Sequence, residues 1–132
     1  MQEGIFIKDS EEMSAKLFEV MGIDVEDSTE FDRQMLSIFS FGMISAHAIE
    51  EKFDANIVSL ASEFVLMKVF KYSKEQARTF LELLVDGTKK GVNPTYYRVI
   101  HEGIEMYYEY VNKDEVKMFD RIMKTYLLFK KK

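Results

Sequence analysis

Two histidines are the first places to look for chemistry. His47 lies between Ala46 and Ala48, with Glu50 and Glu51 three and four residues on, and His101 sits beside Glu102 with Glu105 four residues on. A metal centre in a helical bundle draws ligands from several helices, commonly as Glu-x-x-His pairs, and no Glu-x-x-His occurs in the chain. His101-Glu102-Gly103-Ile104-Glu105 lacks the second histidine of the His-Glu-x-x-His zinc motif. Cysteine is absent, which removes disulfides, thiolate catalysis and cysteine-ligated zinc. No phosphate-cradling glycine loop and no Ser/His/Asp set stands out. Both histidines are therefore expected to be structural or to sit at a solvent edge, with no metal and no cofactor. The alternative is a small-ligand or enzymatic site in the His47/His101 region.

Carboxylates make the stronger signal. Asp24, Glu26, Asp27, Glu30 and Asp32 fall within nine residues and meet no base until Arg33. Glu30 and Asp32 are explained by the dipole of a helix beginning there. The other three repel one another, which calls for a basic counterpart, either the basic half of the same chain or another molecule. Asp24-Val-Glu26-Asp27-Ser-Thr-Glu30 has oxygens enough for calcium but not the spacing of an EF-hand loop. A second candidate contact set comes from placing residues 94–111 on a helical wheel. Arg98, Glu102, Glu105 and Glu109 cluster within about 60° and must face water, setting Tyr96, Ile100, Gly103, Ile104, Tyr107 and Val111 toward the core. Tyr97 and Tyr108 then share a flank with His101, and Tyr110 lies on the other. Tyrosines with an apolar body and a wet tip anchor interfaces, and they also cover core edges.

Helices must position these groups. A single proline, few glycines and apolar residues at helical spacing predict an all-α domain, 1–132, built as a bundle of about six mostly antiparallel helices. The first is expected from about Ser10 to Met21, capped by Asp9 or Ser10 and stopped by Gly22, with Ile5-Phe6-Ile7 as a lead-in. The second, about 29–53, opens with an Asp27/Glu30 capping box. Its middle, residues 38–46, is apolar or small on every face, so it is the buried central helix, and Gly42 marks a close approach. A third helix, about Ala55–Lys71, is capped by Asp54 and turns Ile57, Leu60, Ala61, Phe64 and Val65 inward. A Ser73/Gln76 capping box opens a fourth, through Ala77, Phe80, Leu81, Leu84 and Val85 to Lys90, with Gly91 as its stop. Asn93-Pro94 opens a fifth to about Val111. An Asn112/Glu115 box opens a sixth through Val116, Phe119, Ile122, Met123, Tyr126 and Leu127 into the Lys130–Lys132 tail.

The charge is unevenly divided. Residues 1–66 carry a net −10 and residues 67–132 a net +5. A dense acidic stretch without catalytic machinery reads as a surface that binds protein, and an acidic chain disfavours nucleic acid, whose affinity rests on neutralised phosphates. The N-terminus has only three adjacent apolar residues, far short of a signal peptide or a membrane span, so a cytoplasmic protein with no membrane contact is expected.

Three segments carry a resemblance. Residues 26–35, EDSTEFDRQM, lead into 39–43, FSFGM; residues 70–77 read FKYSKEQA; residues 93–108 read NPTYYRVIHEGIEMYY. In this order and spacing they resemble the all-helical immunity protein 48 family of bacterial polymorphic toxin systems, over nearly the whole chain. The resemblance implies a small, non-enzymatic cytoplasmic protein, encoded beside a secreted toxin, that binds the toxin domain and blocks it in the producing cell. It supplies no active-site residues. If charge complementarity drives capture, Asp24, Glu26, Asp27, Glu30 and Asp32 form the first candidate surface, and Tyr97 and Tyr108 the second. A regulatory homodimer through the flanking tyrosines is a further reading.

Overall fold

Side-chain caps set where most of the helices begin. The computed structural model describes residues 1–130, so Lys131 and Lys132 of the lysine tail lie outside the described residues. Its helices are α1 (Glu3–Met21), α2 (Glu30–Glu51), α3 (Ala55–Lys68), α4 (Lys74–Gly87), α5 (Pro94–Val111) and α6 (Glu115–Lys130), with a 3-10 turn at Val25–Asp27 before α2. Asp54 takes the amides of Asn56 and Ile57, Ser73 and Gln76 form a reciprocal capping box, and Asn93 takes the amide of Tyr96 ahead of Pro94, all at the expected positions. Gly22 ends α1 at φ 69°, as a left-handed stop should. Among the described residues there is no strand, and six helices pack as a bundle.

Other boundaries differ from expectation. Helix α1 starts before Ser10 because Phe6 is fully buried, stacked on the His47 ring at 5.0 Å and tilted against Phe53 at 4.9 Å. Ser10 is not a cap: its buried hydroxyl donates to the Phe6 carbonyl (2.9 Å) within the helix. The cap of α2 is Thr29, not Asp27. Its hydroxyl accepts from the Asp32 amide (3.0 Å) while the Asp32 carboxylate accepts from the Thr29 amide (3.1 Å). Asn112 closes α5 instead of opening α6, and Asp114 takes the Lys117 amide (3.2 Å). Helix α3 stops at Lys68 and α4 at Gly87, short of Lys71 and Lys90. Leu60, Phe64, Val85, Val111, Val116, Phe119 and Leu127 point outward. Apolar residues recur on two faces of α3 and of α6, and packing selects only one: Ala61, Val65 and Leu66 in α3, and Met118, Ile122 and Tyr126 in α6.

The middle of α2 is enclosed on all sides, with residues 35–44 buried without interruption. Two features explain how neighbours come so close. On α1, Ser14 shares a buried hydrogen bond with Ser40 of α2 at 2.6 Å. On α5, Gly103 lies against Gly42, and a Cβ added to Gly42 would run into the Ile100 carbonyl oxygen and come within 2.9 Å of the Gly103 Cα. One added to Gly103 would run into the Phe39 carbonyl oxygen. The helices cross backbone to backbone.

Arg121 clamps α6 to α5. Its guanidinium donates twice to Glu109 (2.9 and 2.8 Å) and once to Glu102 (2.8 Å), in a site of about one-quarter exposure that removes much competing water. Arg121→Met leaves two carboxylates facing each other and is expected to cost about 1–2 kcal/mol, less than a fully buried pair because solvent reaches the site. Arg78→Met, which removes the exposed bond to Glu63, should cost under about 0.5 kcal/mol, and urea denaturation of the two variants compares the losses.

Candidate partner-binding surface

The acidic stretch divides into two parts. Glu30 is held within the fold: its carboxylate accepts from Arg33 (2.6 Å), from the Tyr72 hydroxyl (3.1 Å) and from Gln34 (3.4 Å). Arg33 in turn donates to the Phe70 carbonyl (3.3 Å) and lies over the Tyr72 ring at 4.9 Å, which joins the start of α2 to the segment between α3 and α4. Asp32 completes the cap of α2. These two acids are already engaged. Asp24, Glu26 and Asp27 are exposed, and among the described residues their carboxylates meet no hydrogen-bond or ion-pair partner. Of the two counterparts open to this loop, the chain's own basic half does not supply an ion pair.

The 3-10 turn gives the three carboxylates a defined platform. The Asp27 amide donates to the Asp24 carbonyl (3.0 Å) and the Ser28 amide to the Val25 carbonyl (3.2 Å). Beside the turn runs a cleft of about 590 Å³, with Phe18, Ile23, Val25 and Val69 among its apolar lining. Its polar lining includes Glu11, Glu19, Asp24 and Glu26, together with Lys68 and Lys71. An apolar lining with charges of both signs is what a macromolecular contact uses to combine desolvated area with orientation. Sequence reasoning missed Val69, Lys68 and Lys71, because the turn at the end of α3 that brings them beside Phe18 of α1 has no signature near residue 24.

The tyrosines sort differently. Tyr97 is half-buried, its ring 4.2 Å from that of His101, and His101 Nδ1 lies 2.8 Å from the Tyr97 carbonyl of the same helix. Tyr108 is exposed and donates to Glu50 at 3.0 Å, so it ties α5 to the end of α2. Acids 24–27 and Tyr108 share no contact in the structure.

His47 has a different role. It is buried, with Nδ1 2.9 Å from the Tyr107 hydroxyl and Nε2 3.3 Å from Asp9. Tyr107 donating to Nδ1 while Nε2–H donates to Asp9 satisfies all three groups and links α1, α2 and α5. Burial, reinforced by Glu50 and Glu51, raises the Tyr107 phenol above the ordinary tyrosine range, which keeps it protonated and a donor. With both imidazole nitrogens engaged by groups of the protein itself, the triad ties three helices together at the edge of the core, where Asp9 is partly exposed. Among the described residues no group of three or more His, Asp or Glu is placed to hold a metal ion.

Burial raises other phenols too. The Tyr72 phenol, buried and donating to Glu30, is pushed well above the usual value of 10.0, and burial beside Asp32 does the same to Tyr126. Above pH 10 the unfolded chain loses these protons while the folded chain keeps them, so folding stability must fall as pH rises through the folded values. Thermal unfolding between pH 8 and 11 should show the decline, and Tyr72→Phe should make it shallower.

Comparison with known proteins adds one finding. A family model described as Immunity protein 48 matches residues 6–126. No curated protein and no solved structure matches the chain. Among the described residues no helix is long and apolar enough to cross a membrane.

Proposed function

The chain belongs to the immunity protein 48 family, and from that premise we propose that it is a non-enzymatic inhibitor that binds a cognate toxin domain and blocks it by covering its working surface. Capture takes place in the cytoplasm of the producing cell, with the whole of residues 1–132 acting as one domain. It needs neither cofactor nor nucleic acid nor membrane. The observation that supports this reading is the trio Asp24, Glu26 and Asp27, exposed on an ordered turn beside a cleft of mixed apolar and charged lining, with no ion-pair partner of their own among the described residues. Carboxylates kept close together at a cost in self-repulsion are relieved by a basic partner, and a basic toxin surface supplies one. Glu30 and Asp32 support this edge from within by fixing the start of α2.

The test uses the toxin domain encoded beside this chain. Mixing the two purified proteins is expected to give a stable complex by size exclusion and to abolish the toxin's activity in proportion to complex formed. Protection of toxin-expressing cells without any complex would overturn the reading. So would loss of protection in a folded His47→Gln variant that still binds, which would point to chemistry at the Asp9–His47–Tyr107 triad instead.

A further inference from the structure

Helix α6 has two apolar faces, and the bundle uses one. Met118, Ile122 and Tyr126 are buried against the rest of the protein. Val116, Phe119 and Leu127 are exposed by 73%, 42% and 55%, and with half-buried Met123 they fall within about 80° on the outer side of the helix. Large apolar side chains in one stripe are not scattered surface residues, and they mark a contact surface. Helix α3 carries a shorter stripe of Leu60, Phe64 and Met67, but its neighbouring acid Glu63 is already paired with Arg78.

The charges beside the α6 stripe indicate what covers it. Asp120 and Lys124 lie one turn apart along the same flank, both exposed, and among the described residues neither forms an ion pair. When two copies of a helix pack antiparallel about a two-fold axis, each flank meets the same flank of its partner with the direction reversed. With the axis near residue 122, Asp120 of one copy stands opposite Lys124 of the other, and the reverse holds by symmetry. The stripe covers itself in the same arrangement, Val116 of one copy falling near Leu127 of the other. Parallel packing would set the Asp120 and Lys124 flank against the Phe119 flank and leave both charges unpaired.

We propose that a second copy of this chain occupies the outer face of α6, forming a two-fold dimer with antiparallel α6 helices and reciprocal Asp120–Lys124 pairs. A single helix of 16 residues offers a contact of about 24 Å in length, so the dimer belongs to the small, micromolar class. Toxin capture is not needed for it, and the test is read without toxin.

Sedimentation velocity over a concentration series decides the matter. The native chain is expected to dimerise, and Asp120→Lys or Lys124→Asp alone should weaken self-association by about tenfold or more, since each sets like charges opposite one another. Mixing the two single variants should restore a dimer tighter than either forms alone, because one then presents two lysines and the other two aspartates. Leu127→Glu, at an exposed position that cannot unfold the core, should abolish self-association. A native chain that stays monomeric up to about 500 µM, well above a micromolar dissociation constant, overturns the proposal. So does a dimer indifferent to the charge reversals, or an α6 face that becomes protected only on toxin binding.

Discussion

Gly103→Ala is expected to cost about 3 kcal/mol or more, although it adds only a single methyl group. Alanine normally stabilises a helix interior by about 1 kcal/mol relative to glycine, so the sign here is set wholly by the neighbour. That neighbour is the Phe39 carbonyl of α2, with the Gly42 Cα 3.0 Å from the added carbon, and neither can rotate away as a flexible side chain would. The two helices must move apart along their contact, loosening Phe39, Met43, Ile100 and Met106, all of which are fully or almost fully buried. Gly42→Ala should behave alike. The double variant should cost less than the sum of the singles, because helices already separated by one methyl accommodate the second. Gly4→Ala is the control: nothing lies within 4 Å of its added Cβ, and stability should hold or rise slightly. Urea denaturation monitored by helical circular dichroism separates these outcomes. A Gly103→Ala protein as stable as the native one would mean that the two backbones do not touch.

The second large effect concerns capture. Replacing Asp24, Glu26 and Asp27 together by Asn, Gln and Asn should slow toxin association by on the order of tenfold at low ionic strength, with little change at high salt, where the Debye length shrinks to a few ångströms. Folding should be unaffected, since none of the three carboxylates has a partner to lose among the described residues. Neutralising Glu30 instead should cost stability, because Arg33 and Tyr72 would lose their shared acceptor. Stopped-flow association at several salt concentrations, beside thermal melts, distinguishes the two kinds of acid. Equal rates for the triple variant and the native chain at low salt would remove this edge from the mechanism and leave family membership intact.

The parts of the fold visible in the residues were those with local causes. Asp54, Ser73 with Gln76, and Asn93-Pro94 act on amides two or three residues away, so their caps follow from neighbouring letters. The apolar run of 38–46 could only be a central helix, and Gly42 in such a run required a close neighbour. Some misses were equally local, the caps of α2 and α6 falling on Thr29 and Asp114 and not on the neighbouring residues expected, but the rest were decided at a distance. Phe6 extends α1 because His47 and Phe53 wait for it some forty residues away. Helix α6 is apolar on two sides, and a wheel cannot choose which side the bundle takes. The triad of Asp9, His47 and Tyr107 is drawn from three distant helices and has no spacing to detect. The five-acid cluster was half understood: the dipole explained why Glu30 and Asp32 sit where they do, but only packing revealed that Tyr72 and Arg33 hold Glu30 while the preceding three are left to solvent.

The crossing of Gly42 and Gly103 separates what can drift from what cannot. Freedom to change lies in residues such as Asp24, Glu26 and Asp27, whose side chains support nothing inside. The crossing itself is made of backbone, with no side chain to repack around a substitution. Substitution is therefore expected to be tolerated along that acidic edge and resisted at two glycines sixty-one residues apart.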